Sequence, residues 1–307
     1  WFMNIPDIAD SVVKVAEMGA RDGLQNEKQL ITPDCKIELI DKLAAAGLKY
    51  IEAGSFVSPK WVPQMADSDA VFAGISRQPG VTYAALTPNL RGWQGACAAN
   101  ADEIAVFASA SESFSQKNLN CDIATSLARF EPVVTAAKAQ GVAVRGYVSC
   151  ILGCPYEGEV KAASVQGVTE ALLEMGCYEV SLGDTIGTGT PGRTRALLKY
   201  LSSSIATRHI AMHMHDTYGQ AIANIYIGLE EGVRTFDASV AGLGGCPYAK
   251  GATGNVATED LIYLLEQEGI SHGVDFDQLC RVGEWISAAL GKPYAARAGR
   301  AWRSKEC

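Results

Sequence analysis

The sequence predicts a closed (β/α)8 barrel, an α/β architecture of the TIM-barrel type with added C-terminal helices, on three observations. Eight short runs rich in β-branched or apolar residues recur along the chain, with helix-patterned segments between them. The connections are too long for hairpins, so the strands are parallel and joined by crossovers. The runs are nearly continuous in apolar residues, as strands buried on both faces are. A count of eight favours a closed barrel over an open doubly wound sheet.

Taken in order, the first strand lies at 12–19 (VVKVAEMG). The segment TPDCKIELIDKLAAAGL then reads as a helix with Thr32 as N-cap, Pro33 at the first helical position and a stop at Gly47. Strands follow at 49–56 (KYIEAGSF), 81–87 (VTYAALT) and 103–109 (EIAVFAS). DIATSLARFEPVVTAAKAQG forms the next helix and ends at a glycine, before a strand at 143–150 (AVRGYVSC). VKAASVQGVTEALLEMG is a helix of the same kind and leads to the strand at 179–185 (EVSLGDT). TPGRTRALLKYLSSSI repeats the Thr-Pro opening, and strands at 210–216 (IAMHMHD) and 235–242 (TFDASVAG) complete the eight. ATEDLIYLLEQEG closes the series, and FDQLCRVGEWISAALGKP adds a helix beyond it. No linker or low-complexity run interrupts the chain. One catalytic domain over 1–307 is therefore expected, with the barrel over about 12–270 and a helical extension over about 271–307.

Of the 307 residues, 48% are hydrophobic and 20% charged, the balance of a soluble globular protein. A net charge of −8 argues against a nucleic-acid partner, which would require a basic face. No apolar run is long enough to span a bilayer, so no membrane association is expected. The nine cysteines have no framework spacing and the N-terminal stretch has no secretory pattern. A reduced, cytoplasmic compartment is expected, although a processed organellar form would read the same.

Polar residues gather where the predicted strands end, the face on which such barrels build their sites. Arg21, Asp22 and Gln25 follow the first strand; Glu52 and Ser55 lie in the second. Arg145, Tyr147 and Ser149 alternate on one face of the fifth, and Ser181, Asp184 and Thr185 end the sixth. Two of the chain's four histidines, His213 and His215, stand one residue apart in the seventh. On a strand they face the same way, roughly 7 Å apart along the backbone. Cys246 and Asn255 fall in the glycine-rich loop after the eighth. Two imidazoles, one carboxylate and an amide oxygen suit a divalent ion with positions left open for substrate. Asp22, His213, His215 and Asn255 are expected to form that shell, and the absence of thiolate favours Mg²⁺ or Mn²⁺.

RDGLQNE, SFVSPKWVPQM, SCILGCPYEG, GDTIGTGTPG, HMHDTYGQA and GLGGCPYAKGATGN, in that order, resemble the 3-hydroxy-3-methylglutaryl-CoA lyase family. The resemblance implies metal-dependent cleavage of an acyl-CoA substrate to acetyl-CoA and acetoacetate. It implies that Cys246 is the catalytic cysteine of a mobile loop and Arg21 the catalytic arginine. It also makes Glu52 and Asp184 important acids, and the assembly a homodimer. Gln25, Ser55, Arg145, Tyr147, Ser181 and Thr185 are expected to meet substrate. Ala20 stands where the resemblance leads to expect proline.

Other readings compete. A related 3-hydroxyacyl-CoA lyase would share every motif. Synthases that condense acetyl-CoA with a 2-oxo acid share the His-x-His site, but the chain leaves no room for their regulatory domain. A silent metal-binding scaffold would require a ruined site position, and none is visible.

Overall fold

The computed structural model describes residues 12–245 and 254–306. Eight parallel strands close into one barrel: β1 (Lys14–Glu17), β2 (Tyr50–Ser55), β3 (Thr82–Leu86), β4 (Glu103–Ser109), β5 (Ala143–Ser149), β6 (Glu179–Asp184), β7 (Ile210–Met214) and β8 (Thr235–Ala238). Each pairs with the next, and β8 returns to β1 with Lys14 opposite Thr235 and Glu17 opposite Ala238. All eight strands fall inside the expected windows.

The expected helices form as α1 (Pro33–Ala45), α5 (Ile123–Ala139), α6 (Ala162–Met175), α7 (Pro191–Leu201), α9 (Thr258–Gln267) and α10 (Phe276–Ala289). Thr32 caps α1 by accepting the Cys35 amide at 3.3 Å, an interaction worth ~1 kcal/mol. Gly47 ends this helix at φ +99°, where a Cβ would stand 2.4 Å from the Gly273 carbonyl oxygen. Only glycine fits there. The structure adds helices that periodicity did not reveal: α2 (Ser68–Gly74), α3 (Leu90–Ala98), α4 (Glu112–Leu119) and α8 (Ala221–Glu230); α11 (Arg297–Glu306) falls inside the expected helical extension without a periodicity of its own. Leu39, Ile40 and Leu43 of α1 have no exposure, and they belong to a core that continues from the helices to the outer faces of the strands. Among the described residues no helix is long and apolar enough to cross a membrane.

Two strand ends differ from expectation in ways that shape the site. β1 stops at Glu17, and Gly19–Gly23 form a wide π-type turn in which the Gly23 amide reaches the Met18 carbonyl at 3.0 Å. β8 stops at Ala238, and Val240–Gly242 form a tight turn with Ala241 at φ 57°. Both turns convert strand into loop at the barrel mouth, where Arg21, Asp22, Gln25 and Gly245 line one cleft.

Candidate metal and acyl-CoA site

Parallel pairing sets Gly183 beside His213 and His213 beside Asp237. Neighbours in register share a face, so the imidazole and the carboxylate meet: His213 Nδ1 lies 3.1 Å from Asp237 Oδ2. Asp237 is 1% exposed and has two further donors, Ser181 Oγ at 2.7 Å and Arg145 Nη2 at 2.7 Å. Burial works against its charge, but Arg145 outweighs it and holds the carboxyl well below the usual range. An ionised acceptor at Nδ1 fixes the proton there and leaves the Nε2 lone pair of His213 free.

That lone pair faces the second imidazole. His213 Nε2 and His215 Nε2 are 3.3 Å apart. Burial lowers the His215 imidazole to about 4, with the His213 ring adding to the effect, so it is neutral near pH 7. Asp22 supplies the anion. Burial opposes its ionisation, but Arg21 outweighs that, helped by His213 and Asn255, and the carboxyl lies at about 2. Ligand atoms of Asp22, His213 and His215 lie within 4.8 Å of one another. Two imidazole nitrogens and one carboxylate, partly buried and without thiolate, fit a divalent ion.

Asn255 arrives beside them because residues 254–256 lay against the end of β7: His215 bridges Asn255, and the Asp216 amide reaches the Gly254 carbonyl at 2.8 Å. Its amide nitrogen, rather than the expected oxygen, is the atom turned to Asp22, at 2.8 Å from Oδ2. The same nitrogen donates to the Leu243 carbonyl at 3.2 Å. Cys246 lies outside the described residues.

Arg21 projects from the π-type turn and is 6% exposed. Its Nε donates to Glu52 Oε1 at 2.6 Å and its Nη1 to Asp22 Oδ1 at 2.7 Å. Glu52, fully buried in β2, also accepts the Tyr147 hydroxyl. The guanidinium is thus fixed on two sides. Glu52 positions Arg21 from below and does not line the cleft.

The barrel mouth opens into a cleft of about 1080 Å³. Arg21, Asp22, Gln25, Tyr147, Ser181, Thr185, His213 and His215 all line it. The remaining expected residues sit elsewhere. Arg145 has no exposure and is engaged by Glu179, Tyr147 and Asp237, one layer deeper in the barrel. Ser55 is 1% exposed and accepts the Val57 amide at 3.3 Å. Asp184 accepts the Gly189 amide at 2.8 Å and shapes the loop after β6; burial lifts its carboxyl to about 6. Thr185 lines the cleft yet turns its hydroxyl to the Cys150 amide at 2.8 Å. Cys150 and Cys154 are free buried thiols.

Asp237 escaped the sequence reading. Its signal was available: an acid at the inward position of a strand that otherwise reads as buried. The apolar wall of the cleft was also missed. Leu86, Phe107, Leu119 and Phe130 form it, opposite the histidines' side of the barrel.

The profile of the HMGL-like family matches residues 12–286. The chain is 58% identical over 303 residues to the 3-hydroxy-3-isohexenylglutaryl-CoA/hydroxy-methylglutaryl-CoA lyase of Pseudomonas aeruginosa, covering 99% of this chain and 100% of that one. It is similar to the crystal structure of hydroxymethylglutaryl-CoA lyase from Pseudomonas aeruginosa at TM-score 0.95 and 58% identity, over 97% and 99% of the two chains. It also resembles an HMG-CoA lyase from Acinetobacter baumannii in complex with coenzyme A and 3-methylmalate, at TM-score 0.90 and 36% identity over 94% and 95%.

Proposed function

The chain belongs to the HMGL-like family, and we infer from that membership that it cleaves 3-hydroxy-3-methylglutaryl-CoA to acetyl-CoA and acetoacetate. One observation carries the inference: Asp22, His213 and His215 converge at the floor of a large cleft, with Arg21 beside them.

Breaking the C2–C3 bond requires loss of the 3-hydroxyl proton and acceptance of charge on the departing thioester. A divalent ion held by Asp22, His213 and His215, Mg²⁺ or Mn²⁺ by the nature of the donors, would supply the Lewis acidity that acidifies that hydroxyl. Asp22, whose carboxylate keeps lone pairs beyond the one an ion would take, is the acceptor placed to receive its proton. As the bond breaks, C3 becomes the ketone of acetoacetate and the electron pair passes to the thioester enolate. Arg21 cannot lose its charge and is braced by Glu52 and Asp22, so it faces the enolate oxygen already oriented. Protonation of the enolate carbon completes acetyl-CoA, and Cys246 is the acid that the family resemblance supplies. Asp237 and Ser181 hold His213 in its tautomer throughout.

We read the whole chain as one catalytic domain, cytoplasmic and homodimeric, with neither nucleic acid nor membrane as partner. The test is turnover of 3-hydroxy-3-methylglutaryl-CoA with Mg²⁺ or Mn²⁺, followed as acetoacetate through coupled NADH oxidation. Turnover abolished by EDTA and by His213→Ala supports the reading; turnover that survives both overturns the metal site, and no turnover with either metal overturns the lyase assignment.

A second reading is favoured by the apolar wall. Leu86, Phe107, Leu119 and Phe130 offer more hydrophobic surface than a 3-methyl group covers. The Pseudomonas aeruginosa relative is named for a 3-isohexenyl substrate as well as the 3-methyl one. This chain accordingly accepts 3-hydroxyglutaryl-CoA esters with longer apolar groups at C3.

A further inference from the structure

The C-terminal extension touches the catalytic end of the barrel at three points. Arg297 of α11 pairs with Asp216 Oδ2 at 2.8 Å, one residue beyond His215. Asp260 accepts the Ala298 amide at 2.7 Å. Tyr294, between α10 and α11 and 8% exposed, donates its hydroxyl to Glu259 Oε1 at 2.8 Å. The tyrosine occupies a niche that two glycines keep open. A Cβ on Gly299 would stand 1.9 Å from its hydroxyl, and one on Gly283 would stand 2.7 Å from Cε2.

Glu259 has no exposure, and both of its oxygens accept the Ala241 amide, each at 2.9 Å. Ala241 is the left-handed residue in the turn after β8. A residue with a Cβ persists in that conformation only where its surroundings over-determine it. Two residues later the Leu243 carbonyl accepts from Asn255 Nδ2, which also holds Asp22. Glu17 grips the other side of the turn through the Val240 amide at 2.9 Å, and reaches the Thr258 hydroxyl at 2.6 Å and the Gly19 amide at 2.8 Å.

We propose that Tyr294 is a positioning residue for the Asp22–His213–His215 cluster: it holds Glu259 against the Ala241 amide and so fixes the turn whose Leu243 carbonyl orients Asn255 over Asp22. Without the phenol, one Glu259 oxygen loses a buried donor, and the turn loses the contact that pins it from the C-terminal side. The kinetic arm of the test rests on the lyase reading; the binding arm does not.

The experiment titrates Mn²⁺ alone into the metal-free full chain by calorimetry, for wild type, Tyr294→Phe and Tyr83→Phe. Tyr83 is the control, a tyrosine 1% exposed on β3 whose hydroxyl accepts the Gln78 amide at 3.1 Å. Tyr294→Phe is expected to weaken Mn²⁺ binding about threefold to tenfold, less than the roughly 10- to 100-fold typical of groups that hydrogen-bond a ligand directly, because it acts through several intervening contacts. Its kcat falls by a similar factor with the acyl-CoA KM unchanged, and the Ala241 amide exchanges its proton faster. Tyr83→Phe changes none of these. Equal Mn²⁺ affinity in the two variants overturns the proposal. Should Tyr294→Phe fail to fold, Gly299→Ala retains the tyrosine but displaces its hydroxyl, and carries the same expectation and the same overturning result. Weakened Mn²⁺ binding in Tyr294→Phe, with no lyase turnover from the wild type, would sustain this inference while sinking the lyase reading.

Discussion

Asp237 Oδ2 stands 3.1 Å from His213 Nδ1, while Oδ1 of the same carboxylate is held by Arg145 at 2.7 Å. The acid is therefore a hinge-pin between the barrel's charged interior and the imidazole above it. Asp237→Asn keeps the shape but removes the charge that fixes the His213 tautomer. It should weaken Mn²⁺ binding about 10- to 100-fold. Calorimetry below the melting temperature checks this; unchanged affinity would mean that the tautomer is set elsewhere.

Arg21→Lys keeps a positive charge but loses the fork that meets Glu52 through Nε and Asp22 through Nη1. An ammonium satisfies neither geometry as well, so the charge wanders relative to the enolate. The expected loss in kcat is about 10²- to 10³-fold, with a small change in KM. Steady-state kinetics separates the two, and a loss confined to KM would place Arg21 in ground-state binding instead.

The apolar wall makes a prediction about size. Leu86 is 6% exposed and contributes to the cleft beside Phe107. Leu86→Trp should fill that side and lower kcat/KM for a 3-pentyl analogue by about tenfold or more. The 3-methyl substrate should change by about threefold at most, since a few methylenes in an apolar pocket are worth roughly 1–3 kcal/mol. Equal losses for both substrates would place the long chain elsewhere.

Stability should fall as pH rises through neutrality. Burial lifts Glu17 to about 7 and Glu259 to about 8, against 4.5 for either carboxyl in the unfolded chain. Between those limits the folded protein retains protons that the unfolded chain has released, so unfolding becomes easier with increasing pH. Each group contributes a slope of up to about 1.4 kcal/mol per pH unit within its window. The melting temperature measured from about pH 5 to pH 8 should drop, and Glu17→Gln with Glu259→Gln should flatten the curve. A wild-type curve already flat would show that both acids ionise without cost.

The barrel was legible because parallel strands buried on both faces leave continuous apolar runs, and the His213/His215 pair because alternation puts both on one face. Depth was not legible. Arg145 and Tyr147 share a face of β5, yet the first is sealed in the barrel while the second meets the cleft. Alternation reports the side on which a residue lies and says nothing of its layer. Asp237 was missed for a related reason: its burial depends on Arg145 from β5, 92 residues away in sequence. The short helices α2 and α4 have too few turns to show a period, and α11 is largely polar outside Trp302.

The four apolar residues singled out in the cleft and the Asp22–His213–His215 cluster come from different stretches of chain. Leu86, Phe107, Leu119 and Phe130 all lie well before Tyr147, while Arg21, Asp22 and Gln25 precede them and Tyr147, Ser181, Thr185, His213 and His215 follow. Appetite and chemistry are thus written on separable segments. Recombination that exchanges the region around β3 and β4 between relatives would redraw the acyl group accepted and leave the bond-breaking residues untouched.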